Sequence, residues 1–218
     1  MLIFVLFLNF YSVSAVFAPA DRTALRAAVQ SCLSETTVET GDGSCPTFAA
    51  SNDATGNPYG VMGDWDVSKV TNMYATFYDV SAFNADISNW NTVAVTNMES
   101  MFQSAPAFNA DISKWDTAAV TTMRATFSYA STFNSDISKW NTAAVTDMKY
   151  TFNRASAFNS DISKWNTAAV TIMRNSTSTP LVSVVLSLEI HSLFPFHFFQ
   201  FFPTVASNEH CAAVPGCL

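Results

Sequence analysis

Four aspartates recur at one spacing, Asp86, Asp111, Asp136 and Asp161, and three lysines keep step with them, Lys114, Lys139 and Lys164. Carboxylate pairs can perform acid–base work, as in glycoside hydrolysis. Stacked carboxylates with oxygen-only ligands also suit calcium. An active site is built once in a chain, however, whereas these acids return in every unit, which a ladder explains better. Stacked at a spacing of about 4.8 Å, neighbouring carboxylates would repel. Backbone N–H groups, the lysines or a cation must offset that repulsion. Turn capping is the leading reading, and calcium at the four aspartates is the metal-binding alternative. The three histidines, His191, His197 and His210, all follow the repeats. No Ser-His-Asp or Cys-His set can be placed. The expectation is a non-enzyme with no catalytic residues and no cofactor.

The element that positions these side chains is announced by tryptophan. Trp65, Trp90, Trp115, Trp140 and Trp165 each follow the last by 25 residues. A fixed period of that size marks a repeat array whose units stack and do not fold alone. Other columns agree: Val70 with Val95, Val120, Val145 and Val170; Met73 with Met98, Met123, Met148 and Met173; Phe77 with Phe102, Phe127 and Phe152; Phe83 with Phe108, Phe133 and Phe158. Each phenylalanine of the last column precedes an asparagine, Asn84, Asn109, Asn134 or Asn159, read here as a buried side chain satisfying turn backbone groups. Val95, Met98, Phe102 and Ala105 share one face at helical spacing. Asp86-Ile87-Ser88-Asn89-Trp90 suits a short parallel strand. The fold class expected is an α/β repeat solenoid with leucine-rich-repeat-like coils of short parallel strand plus short helix; a parallel β-helix is the alternative.

Around the repeats the chain divides into a signal peptide at 1–15, an N-terminal capping region at 19–64, four and a half repeats at 65–174, and an atypical Phe-rich tail at 175–218. Leu2 to Tyr11 are almost wholly apolar, and small residues follow at Val13, Ser14 and Ala15, as in an export signal. Pro19 to Ser31 suits a helix with Ala24, Leu25, Ala28 and Val29 on its apolar stripe. Export permits disulfides, and Cys32 with Cys45, flanking Gly41-Asp42-Gly43, is the simplest of three connectivities open to four cysteines. The tail abandons the template after Arg174, with Ile190 where a tryptophan is due. A disordered or non-native extension, a C-terminal cap and a hydrophobic membrane segment are its three readings, the last interrupted by Glu189, His191 and two prolines. Asn175-Ser176-Thr177 is a glycosylation sequon for a secreted chain.

The unit Phe-Asn-x-Asp-Ile-Ser-x-Trp-Asn-Thr-x-x-Val-Thr-x-Met-x-x-x-Phe resembles the repeat of BspA-like leucine-rich-repeat surface proteins. Asp64-Trp65-Asp66-Val67-Ser68 is similar to that family's usual lead-in. The resemblance implies a secreted or cell-surface protein that binds an extracellular protein or glycan in adhesion or recognition, and it brings no shared catalytic residues. The candidate binding surface is the solvent side of the strand ladder with Lys114, Lys139 and Lys164. A structural wall or matrix protein that self-associates is the alternative. Net charge −7, with 10 Lys and Arg spread along the chain, argues against nucleic acid as partner.

Overall fold

The structure is a computed structural model and describes residues 16–35 and 43–174. The expectations for the signal at 1–15, for Asn175, for Cys211 and Cys217 and for the tail fall outside those residues.

In the cap, Asp21 is extended, and its carboxylate accepts a hydrogen bond from the Ala24 N–H at 2.9 Å, opening helix α1, Arg22–Leu33. The helix therefore begins after Pro19, because capping needs Asp21 outside the first turn. Leu25, Ala28, Val29 and Cys32 are its buried stripe. A second helix, α2, Pro46–Ala50, places proline in its first turn, where the missing N–H costs nothing. Cys32 and Cys45 are joined by a disulfide with Cα atoms 5.1 Å apart, tying α1 to the start of α2. Phe17, Phe48 and Tyr59 then gather around Trp65.

Residues 65–174 form a stack of coils, one repeat to each. Two columns of phenylalanine rings pile up along it, with centroids 5.4–5.8 Å apart from coil to coil. Within each coil the two rings stack on each other at 3.8–4.0 Å. Tryptophans 90, 115, 140 and 165 form a third pile, nearly parallel, at 6.3–6.5 Å. Their indole N–H groups are also employed. Trp115 donates to the Ile87 carbonyl, Trp140 to Ile112 and Trp165 to Ile137, at 3.0–3.1 Å. The column therefore needs an aromatic ring with a donor on its edge, which phenylalanine lacks.

The expected helix over Val95 to Ala105 is replaced by a run of turns. Met98, Ser100, Phe102 and Ser104 donate their N–H groups to carbonyls of the next coil, those of Thr122, Arg124, Thr126 and Ser128, at 2.8–3.1 Å. The intervening Met101, Gln103 and Ala105 donate back three residues within the coil. Ser100 and Ser104 take left-handed φ values of 55° and 59°, so no right-handed helix can continue through them. This double turn repeats every four residues, close enough to the 3.6 of a helix that apolar spacing cannot separate the two. Parallel pairing also lies elsewhere than expected. Isolated bridges link Asn72, Asn97, Thr122, Asp147 and Ile172, whereas Ile87 to Trp90 is a tight turn closed by the Trp90 N–H on the Ile87 carbonyl.

The cap meets the stack in register. Met62 stands one period before Ile87, and its carbonyl accepts both the Trp65 N–H and the Trp90 indole N–H, the same pair of jobs that Ile87 performs one coil on. The coil pattern therefore starts upstream of Trp65. Gly63 occupies the column of Ser88, and a Cβ there would sit 2.5 Å from the Asp86 carbonyl oxygen.

Two expected outcomes follow from this packing. Trp140→Phe removes an indole hydrogen bond and part of a buried ring, and should cost about 1–3 kcal/mol in denaturant unfolding while leaving the far-ultraviolet spectrum unchanged. Gly63→Ala should lower stability by about 1–3 kcal/mol, since the obstructing atom is backbone and cannot swing aside; an unchanged midpoint would mean that the cap does not seat closely on the first coil.

Candidate binding surface

Each coil turns its corners on short polar side chains. The Asp86, Asp111, Asp136 and Asp161 carboxylates each accept the N–H of the serine two residues on, at 2.9–3.0 Å. A second corner repeats the device with Asn91, Asp116, Asn141 and Asn166, and a third with Asn72, Asn97, Thr122 and Asp147. These are Asx-type turns, which bend the chain without a glycine. The signal for them is Asp, Asn or Thr at three fixed offsets per unit, and only the Asp-Ile-Ser corner stands out in the sequence, because the other two vary in residue type.

The asparagine column differs from expectation in being exposed. Asn84 accepts the Asn109 N–H, Asn109 that of Asn134, and Asn134 that of Asn159, at 2.7–2.8 Å. It bonds along the stack although water reaches it. Threonine forms two further columns. Thr92, Thr117 and Thr142 are buried and donate their hydroxyls to the next coil's Asp116, Asn141 and Asn166 carbonyls. Thr96, Thr121, Thr146 and Thr171 are exposed and donate to the threonine carbonyl one period back.

Each of the four aspartates is engaged at its corner. Ser88 holds Asp86 below the usual carboxylate range through its backbone N–H and then its hydroxyl. Ser113 and Ser138 act on Asp111 and Asp136 through hydroxyl and backbone, and Ser163 acts on Asp161 through backbone and hydroxyl. The lysines help: Lys114 lowers both Asp86 and Asp111. Among the described residues no three acidic, histidine or cysteine side chains gather as a metal-binding group.

The lysines themselves are placed differently from expectation. Lys114, Lys139 and Lys164 are exposed at the Asp-Ile-Ser corner, one residue after its capped serine, and not on the bridged face. The bridged face belongs to the turn run, whose outward columns change from coil to coil. One column carries Tyr74, Glu99, Arg124, Lys149 and Arg174; another carries Asp79, Ser104, Tyr129 and Arg154. Backbone bonds fix the neighbours: the Ser100 N–H on the Arg124 carbonyl, Ala125 on Lys149 and Tyr150 on Arg174, at 2.8–2.9 Å. Arg124 pairs with Glu99 at 3.6 Å. A concavity of about 310 Å³ lies between α1 and the first coil, and its one carboxylate, Asp21, is engaged in capping the helix.

Depressed aspartates make the corners sensitive to acid. Their pKa values are lower folded than unfolded, so the stabilisation is complete above the ordinary carboxylate value, about 3.9, and is lost as pH falls through the lower folded values. Replacing all four with asparagine keeps an acceptor at each corner but removes the titration. The melting temperature of that variant should fall less steeply below about pH 4 than that of the parent.

Among the described residues no helix is long and apolar enough to cross a membrane. No curated protein and no solved structure matches the chain. Residues 48–153 and 108–179 match a family described as Mycoplasma protein of unknown function, DUF285. The two matches overlap, take in every coil described above and together span more than half of the sequence, so this repeat protein belongs to the DUF285 family.

Proposed function

We propose that the chain is a secreted or cell-surface repeat solenoid of the BspA-like kind that binds an extracellular protein or glycan without catalysis. The observation that carries this reading is a division of labour between columns. Columns constant from coil to coil are engaged in the stack, the exposed lysines at 114, 139 and 164 excepted: tryptophan and threonine bond across it, aspartate caps a corner, phenylalanine fills the core. The outward columns of the turn run vary in charge and size on a continuous face. A constant skeleton under a variable face suits recognition, as in other repeat proteins whose binding surfaces are laid on stacked units. A catalytic reading has less support, because each recurring carboxylate already accepts its corner N–H. The buried Cys32–Cys45 disulfide suits an oxidising compartment.

The full chain, immobilised and exposed to intact cells and extracellular matrix, should retain material that Arg124→Thr with Lys149→Thr retains several-fold less. The Lys114, Lys139 and Lys164→Ser variant should retain it normally. Loss only in the lysine variant would move the surface to the Asp-Ile-Ser corner. Absence of any retention by the parent chain would sink the reading.

A further inference from the structure

Arg124, Lys149, Arg154 and Arg174 account for four of the ten Lys and Arg of a chain with net charge −7; Arg124, Lys149 and Arg174 stand on successive coils of the turn-run face, and Arg154 follows Lys149 along the same turn run. Tyr129 and Tyr150 lie among them. The Lys149 ammonium sits 4.8 Å from the Tyr150 ring centroid, and the Arg154 guanidinium 5.3 Å from that of Tyr129. Two acids adjoin the patch: Glu99, paired with Arg124, and Asp147, which accepts the Lys149 N–H at 2.8 Å. Among the described residues, Arg124–Glu99 is the only ion pair.

The backbone adds a second observation. Tyr129, Tyr150 and Arg154 have φ of 61°, 62° and 60°, in the left-handed region that bulky side chains disfavour. The same two columns hold Ala75, Ser100 and Ala125, or Asp79 and Ser104, in the other coils. Coil geometry imposes the conformation, and every residue with a Cβ bears its cost there, alanine included. Backbone preference therefore does not account for large rings and a guanidinium at these points, which leaves their side chains as the reason for them.

We propose that this patch binds an acidic polysaccharide, a pyranose polymer bearing a carboxylate or sulfate on its rings. Tyrosine rings offer flat apolar faces to the C–H faces of sugars while their hydroxyls stay wet. Arginine and lysine on successive coils supply cations at steps of about 4.8 Å, near the length of one sugar unit. Nucleic acid fits less well: it carries one charge per about 3.4 Å of each strand, a closer spacing than successive coils offer. The proposal rests on the binding reading above and narrows it to one ligand class.

The test uses the full chain, polygalacturonate, dextran sulfate, neutral dextran and a thymidine oligonucleotide, with binding followed by calorimetry. Expected are binding to at least one acidic polymer, weakening with salt, and none to neutral dextran. Tyr129→Asn with Tyr150→Asn should weaken binding about tenfold without lowering the melting temperature, since asparagine tolerates left-handed φ. Arg154→Ser, which installs the residue at the equivalent Ser104, should weaken it separately. Preference between polygalacturonate and dextran sulfate assigns the anion. Failure to bind either, equal or tighter binding of the oligonucleotide, indifference to all three substitutions, or loss of binding together with a lowered melting temperature each overturns the proposal. If the chain still retains cells or matrix while ignoring both acidic polymers, the ligand class alone is wrong; if it retains nothing, the binding reading beneath it fails too.

Discussion

Residues 65–174 hold together because the backbone of one coil finds its hydrogen-bond partners on the next. Six backbone N–H donors reach backbone carbonyls across the junction between the coils of Met98 and Met123: Met98, Ser100, Phe102 and Ser104 reach forward, and Thr121 and Thr132 reach back to Thr96 and Pro106. Amides left over are satisfied within the coil by tight turns or by Asp, Asn and Thr side chains at the corners. Buried amides must be paired, and a coil this irregular pairs them only in the presence of an identical neighbour. The aromatic piles fill the interior that this scaffold encloses, and each tryptophan serves both systems at once through its ring and its N–H.

That dependence explains which parts of the fold were legible in the sequence. The period, the columns and the position of the core follow from residue identity and spacing, and buried Trp, Phe, Met, Val and Ile columns occupy the interior. The local conformation did not follow. Val95, Met98, Phe102 and Ala105 satisfy a helical template and a double turn of four residues equally well, and the distinction rests on Ser100 and Ser104 adopting left-handed φ. Serine and alanine do not announce that conformation as glycine would. The upstream limit was also hidden, because Met62 and Gly63 stand in the columns of isoleucine and serine without resembling them. The tie between them is a shared carbonyl role, visible only once the Trp90 indole is seen on Met62.

The charged columns were legible in the sequence, but not the face of the stack on which each stands. Charged columns in phase with the repeat drew attention to Lys114, Lys139 and Lys164, and those side chains are solvent-exposed at a corner. Here constancy tracks what the stack requires, and the face that differs between coils, with Tyr74 and Glu99 at one end and Lys149 and Arg154 towards the other, is marked by the absence of a pattern.

The carbonyl of Met62 has a consequence for how such a chain can change length. The bonds that join coils span 24, 25, 26 or 28 residues, and the cap offers the stack the same acceptor that any coil offers its successor. Duplication or deletion of whole periods leaves every partner in place, whereas a change that is not a whole number of periods shifts donors off their acceptors. The array can therefore grow or shrink by recombination in single coils, and each added coil brings fresh outward positions on which selection can act without disturbing the interior.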